Sequence, residues 1–152
     1  MLPPAARELL DRPLVAHVST VSPSGRPQAS IVWVERRGDE VVLFSVADAP
    51  KVRNLRRNPR IDVIVVDPDR EIAAGIPCYL RLVGTAEVRP AEDGIEDRIA
   101  RLYGHEHGFP AEFGELGELA NIHITVERFS GFGPFGAGVD GADSWREHGS
   151  SG

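Results

Sequence analysis

Two polar pairs stand at spacings that could grip one ligand. Gln28 and Ser30 lie two apart in "PQASIVWV", so in a strand both side chains leave on the same face, together with Val32 and Val34. Lys51 and Asn54 lie three apart in "DAPKVRNLRRNPR", which places them on one helix face, read here as the face away from Val52 and Leu55. A hydrogen-bonding pair running into an apolar strip suits a ligand with a polar chain and a flat ring. A cation in the first turn of a helix suits a phosphate, because open N–H groups and the ammonium both favour negative charge. A lysine acts there as a point charge and accommodates varied phosphate geometry. Lys51 is the only lysine in the chain, all other cationic side chains being arginine. Arg53 is placed to join it, whereas Arg56, Arg57 and Arg60 read as a solvated helix end and turn.

Other chemistry is poorly supported. "His105-Glu106-His107" invites a metal, but it lies in a polar, glycine-broken loop with no further ligand set. His17 and His123 fall in the middle of strands and read as packing or interface residues. Cys78 has no second cysteine and no evident base, so it is expected to be inert. Trp33 alternates to the face opposite Gln28, a packing position. "GFGPFGAG" follows a strand with no helix after it and so lacks the context of a phosphate loop. No serine–histidine–acid set or carboxylate pair can be placed at one site. That fits a protein whose cofactor carries the chemistry while the chain binds, orients and excludes solvent.

The totals bound the rest. A chain of 152 residues, 41% hydrophobic and 26% charged, is one ordinary globular domain. Its net charge of -6 argues against a nucleic-acid binder, which needs a broad basic face. Yet five of the seventeen basic residues fall between 51 and 60, and the field a ligand feels is set within about 8–10 Å. No apolar run is long enough to span a bilayer, and the N-terminus lacks a signal-peptide pattern. One cysteine fits a reducing compartment. The expectation is a cytoplasmic protein, and the arginine-, alanine- and glycine-rich composition points to a GC-rich bacterial source.

The elements that must position these residues follow from punctuation and periodicity. The segment "PPAARELLDRP", residues 3–13, reads as a short amphipathic helix stopped by Pro13. Strands are expected over 13–21 and 27–37, joined by the "SPSGRP" turn, then over 40–46. Asp48 as cap and Pro50 in the first turn open a two-turn helix that Pro59 ends. Strand four covers 60–67 and turns at "PDRE". Strand five covers 78–89, with Gly84 marking a bulge or a sharp coil. Residues 91–104 read as a helix with Ile95, Ile99 and Leu102 on one face, and strand six covers 119–133. Residues 1–133 form the domain, and the Gly/Ser-rich 134–152 reads as a flexible tail. The class is mainly β: a six-stranded antiparallel barrel with small helices.

The order "VSTVSPSGRPQASIVWV", "VLFSV", "KVRNLRRNPRIDVIVVDPD", "YLRLVGTAEV", "ITVERFSGFG" resembles the pyridoxamine 5'-phosphate oxidase-like, FMN-binding split-barrel superfamily. More narrowly it resembles the branch that uses the deazaflavin F-420. The resemblance covers about residues 8–133. It implies a six-stranded split barrel, a homodimer, and two cofactor sites at the dimer interface, with no nucleic acid or membrane partner. It further implies that the cofactor phosphate lies near Lys51, with Asn54 one turn on, and that Gln28, Ser30 and Ser45 contribute from the strands. Tyr79 sits where the partner subunit commonly supplies an aromatic. The implied activity is hydride transfer between F-420 and a small conjugated or heteroaromatic substrate. FMN is the alternative cofactor, for a flavin reductase or a pyridoxamine-phosphate-oxidase-like enzyme. A non-catalytic carrier or sensor of flavin, deazaflavin or haem is the reading from another class. The sequence departs from relatives at Arg81 and Val83, where a charge is reversed and another lost, which bears on substrate choice.

Overall fold

A computed structural model describes residues 1–135. In it α1 (Pro4–Asp11) is followed by β1 (Ala16–Val21), β2 (Pro27–Val32), β3 (Glu35–Arg37) and β4 (Glu40–Val46). After α2 (Pro50–Arg57) come β5 (Arg60–Ala73) and β6 (Ile76–Pro90), then α3 (Ile95–Leu102), a 3-10 turn over 111–113, and β7 (Leu119–Phe132). The tail lies outside the described residues from 136 onward. Phe135 is buried in the main core.

All seven strands join one antiparallel sheet in the order β2-β1-β5-β6-β7-β4-β3. Its two edges, β2 and β3, are the two halves of the segment expected to be a single strand over 27–37. Only Trp33 and Val34 separate them, and an extended chain covers at most about 3.3–3.6 Å per residue. The sheet must therefore curl until its edges nearly meet. That gives the split barrel, with seven strands where six were expected.

Two further boundaries moved. The "PDRE" turn is a bulge: Val66 pairs with Tyr79 and Glu71 with Pro77, so five steps along β5 match two along β6. The Asp67 carboxylate accepts from the Asp69 N–H at 3.0 Å, and Arg12 bridges Asp67 and Asp69. This local clamp absorbs the extra residues, and the chain reverses only after Ala73, at Gly75 (φ 80°). The second boundary is α3, which begins after Gly94 and leaves Leu102 exposed, while Ile95 and Ile99 are fully buried. Gly84 does sit at a register shift: Val83 pairs with Arg128 and Gly84 with Val126, so Glu127 of β7 is the extra residue.

Inside the barrel, alternate residues of five strands pack together, among them Val18, Leu43, Val63, Leu80, Leu82, Ile122 and Ile124. The α1 residues Ala6, Leu9 and Leu10 join the same core. On the outside, Val42 is buried apart from that core, as are Ile95 and Ile99 of α3. Arg37 and Arg98 each pair with both Glu35 and Glu92, tying β3 to the α3 region.

The N-terminus is fastened at the β3–β4 turn. Asp39 accepts from the Met1 ammonium at 2.9 Å, from the Leu2 N–H and from Arg7. These bonds, led by the one from the ammonium, hold its pKa at about 2. A carboxylate with a lowered folded pKa adds stability above its unfolded value and loses it as pH falls through the folded one. Asp39→Asn is therefore expected to flatten the acid limb of a stability–pH curve between about pH 4 and 2. An unchanged limb would mean that the ion pairs are loose in solution.

Candidate functional site

The site is built around the first turn of α2. Pro50 fixes φ at the first helical position, where its missing N–H costs nothing. The cap position falls on Ala49, one residue after the expected Asp48, and no side chain caps the helix. At about 100° per residue, Asn54, Lys51, Leu55 and Val52 span an arc of roughly 160°, with Lys51 and Leu55 in the middle. Val52, Asn54 and Leu55 are buried and Lys51 is half-buried, while Arg53, Arg56 and Arg57 point out. The expected polar face set apart from Val52 and Leu55 does not exist, because the residue four after Lys51 covers the same side as the one three after it. Burial pushes the Lys51 ammonium down from its ordinary pKa, with no carboxylate among the described residues acting on it.

Lys51 lines a cavity of about 420 Å³ together with Ile31, Val32 and Trp33 at the end of β2, and Phe44 and Ser45 on β4. His105, Phe109, Pro110 and Phe113 close it from the α3–β7 connection. Trp33 stands in the gap between the two sheet edges. There the Val34 N–H has no strand to bond, and the Tyr103 hydroxyl accepts it at 2.9 Å while donating to Leu14 O at 2.8 Å. The Tyr103 ring stacks on Trp33 with centroids 5.0 Å apart. His105 lies 5.1 Å from Trp33 on its ring centroid, and Phe109 meets Trp33, Phe44 and Phe113 at 5.4–6.0 Å.

The loop carrying these rings is fixed by its backbone. The His105 N–H donates to Ala100 O, the Gly108 N–H to His105 O, and the Phe109 N–H to Asp97 Oδ1 at 2.8 Å. Gly108 has φ +92° and comes so close to Asp97 that a Cβ would lie 2.5 Å from its carboxylate oxygen. Only glycine fits there. The cavity lining thus combines a cation and a hydroxyl, Lys51 and Ser45, with a cluster of aromatic rings around Trp33.

The remaining sequence candidates fall in different places. Asn54 Nδ2 donates to Thr20 Oγ1 at 3.0 Å, and Thr20 Oγ1 donates to Gln28 Oε1 at 3.2 Å. This chain fastens α2 to β1 and β2. Asn54→Ala is expected to cost about 1–3 kcal/mol of stability in denaturant melts, because the buried Thr20 oxygen loses its donor and keeps only the bond to Gln28. A loss below ~0.5 kcal/mol would show that water replaces the amide. The Ser30 hydroxyl is sealed from solvent and has no partner among the described residues. Arg53 is exposed. Tyr79 lies on β6 with its ring 5.0 Å from Phe132, away from the cavity lining. Ser45 is buried and its hydroxyl donates to Val46 O at 3.3 Å, leaving its lone pairs available. An unpaired, partly desolvated ammonium and an available hydroxyl beside a flat aromatic wall fit an anionic ring cofactor.

A mainly β split barrel with a cavity lined in part by Lys51 and Ser45 defines the class. Residues 2–132 match the pyridoxamine 5'-phosphate oxidase family, and the chain belongs to it. Among solved structures it is similar to an F-420 reductase, at 28% identity and a TM-score of 0.68 over 85% of this chain and 98% of that one. It is also similar to a heme-binding protein from Mycobacterium smegmatis, at 25% identity and a TM-score of 0.60, covering 91% and 58% of the two chains. A conserved hypothetical protein from Mycobacterium tuberculosis shares the fold, at 17% identity and a TM-score of 0.68, covering 87% and 85%. No curated protein sequence matches the chain. No helix among the described residues is long and apolar enough to cross a membrane.

The aromatic end was not legible in advance. Trp33 read as packing, His105 only as a doubtful metal ligand, and Phe44, Phe109 and Phe113 drew no attention. The available signal was Phe109 and Phe113, four apart around Pro110 in a loop otherwise polar. It pointed to a cavity wall only once α3 had placed that loop over Trp33.

Proposed function

We propose that the protein is an F-420-dependent oxidoreductase that moves hydride to or from a small conjugated or heteroaromatic substrate. Lys51 and Ser45 would hold the phosphate-bearing end of the cofactor, with Arg53 free to swing toward it. The ring would lie along the strand end at Ile31 and Val32. Gln28 and Asn54 would act through Thr20 by fixing α2, and the Ser30 hydroxyl, unpartnered among the described residues, would stay available to a ligand. A homodimer would complete the site: Ile31 is 63% exposed on edge strand β2, and Tyr79 would reach the cofactor from the partner subunit. When bound, the deazaflavin supplies the hydride, and the chain binds it, orients it and excludes water.

The observation that carries this reading is Lys51: half-buried, acted on by no carboxylate, at an uncapped helix start on the cavity wall. The similarity to an F-420 reductase supports the deazaflavin over FMN. A haem carrier is the second reading, favoured by the heme-binding neighbour and by an imidazole, His105, on the cavity. Titration of the purified protein with F-420, FMN and haem, followed by absorbance and fluorescence, separates them. Tight F-420 binding with turnover against enones or quinones is expected. Haem or FMN binding without F-420 affinity would overturn the proposal.

A further inference from the structure

We infer that the aromatic end of the cavity is the substrate subsite, and that His105 is the hydrogen-bond and proton donor to a carbonyl on a flat conjugated substrate stacked against Trp33. Four observations converge. Trp33 presents a ring braced from behind by Tyr103 at 5.0 Å and 16°, a rigid platform for a second planar ring. His105 touches that platform and also lines the cavity. Backbone bonds at both Ala100 and Gly108 fix its position. And among the lining side chains the polar groups are Ser45, Lys51, His105 and the indole of Trp33, of which His105 is the one that packs against the Trp33 ring.

The Tyr103 hydroxyl is already committed to Val34 and Leu14, so it cannot serve as the acid. The ionisable side chains on the elements next to His105 are Arg101 in the last turn of α3, Glu106 and His107 next along the loop, Glu112 on the 3-10 turn, and Lys51 on the same cavity lining. The proton step rests on the hydride-transfer reading above; the binding role does not. With hydride arriving at the β-carbon of a conjugated carbonyl, the C=C pair would shift and the carbonyl oxygen would take a proton from a His105 ring N–H. The enol so formed tautomerises to the saturated carbonyl. The substrate gains two hydrogens, the reduced deazaflavin is the electron donor, and the imidazole recovers its proton from water.

The test needs no cofactor. In a Trp145→Phe background Trp33 is the remaining tryptophan, so its quenching reports on ligands at the platform. Coumarin, a flat conjugated lactone, is compared with naphthalene, which lacks the carbonyl. Wild-type His105 is expected to favour coumarin about 5- to 10-fold, the worth of one hydrogen bond. His105→Phe should abolish that preference while leaving naphthalene bound, and His105→Gln, which keeps an N–H donor, should restore most of it. A preference unchanged in His105→Phe would overturn the donor role. Failure of either ligand to quench Trp33 would overturn the subsite itself. Titration of the same His105 variants with F-420 keeps the two readings apart: unaltered F-420 affinity with a lost coumarin preference supports the assignment. If F-420 fails to bind even the parent protein, the hydride-transfer reading falls and the proton step with it, whatever coumarin does.

Discussion

Replacing Lys51 by alanine is expected to weaken F-420 binding about 10- to 150-fold, the equivalent of roughly 1.5–3 kcal/mol for a hydrogen bond to a charged group. Lys51→Arg should recover part of the loss, since the charge survives but the longer, planar head must fit a site shaped for a point charge. The same substitution should leave the unliganded protein as stable as before or slightly more so. Burial lowers the Lys51 pKa in the folded state, so folding disfavours its charged form at neutral pH. That cost vanishes only as pH rises past the ordinary lysine value of about 10.4. Removing a cation that has no carboxylate partner relieves the cost and takes no ion pair away. Isothermal titration with F-420 and a denaturant melt on the same sample check both halves. Unchanged affinity would remove Lys51 from the site, and a large loss of stability would show that the ammonium is paired in solution.

Gly84→Ala is expected to destabilise the fold by about 3 kcal/mol or more, at the high end of what overpacking costs. A Cβ there would stand 2.2 Å from the Thr125 carbonyl oxygen and 3.1 Å from its carbon. Both are backbone atoms of the neighbouring strand, so no side chain can swing aside. The β6–β7 ladder would have to open at the bulge where Gly84 faces Val126 and Glu127 is skipped. Glycine is required here by close approach, since it is the backbone of β7 that occupies the space. Thermal and urea unfolding, together with the dispersion of amide resonances, would register the change. A loss under ~1 kcal/mol would mean that the bulge relaxes cheaply in solution.

Local chemistry settled a good part of this protein before any coordinates. Pro50 and Pro59 bound a helix that is Pro50–Arg57, and the "SPSGRP" turn separates β1 from β2. Ile122, Ile124 and Val126 share the inner face of β7 because alternation in a strand is a property of the chain itself. The placement of Lys51 at a helix start, and hence its bid for an anion, was likewise readable, as was the bulge at Gly84. These features depend on residues a few positions apart, where propensity and periodicity act directly.

The rest was decided by partners distant in the chain. That 27–37 serves two sheet edges follows from barrel closure, which no local pattern encodes, and closure is what turns Trp33 from a strand residue into the floor of a cavity. The "PDRE" segment has good turn chemistry, yet β6 lies beside it and Arg12 holds Asp67, so it bulges and the strand continues. Asn54 read as a cofactor ligand because helix geometry puts it near Lys51. Its amide is instead bonded to Thr20, a residue 34 positions away that arrives beneath α2 only when the barrel forms. The aromatic end is assembled from β2, β4 and the loop after α3, segments up to eighty residues apart whose side chains carry no shared signal until packing brings them within 6.0 Å. Spacing along the chain thus marked Lys51 as a cation at a helix start, and tertiary closure alone assembled the aromatic lining of the cavity beside it.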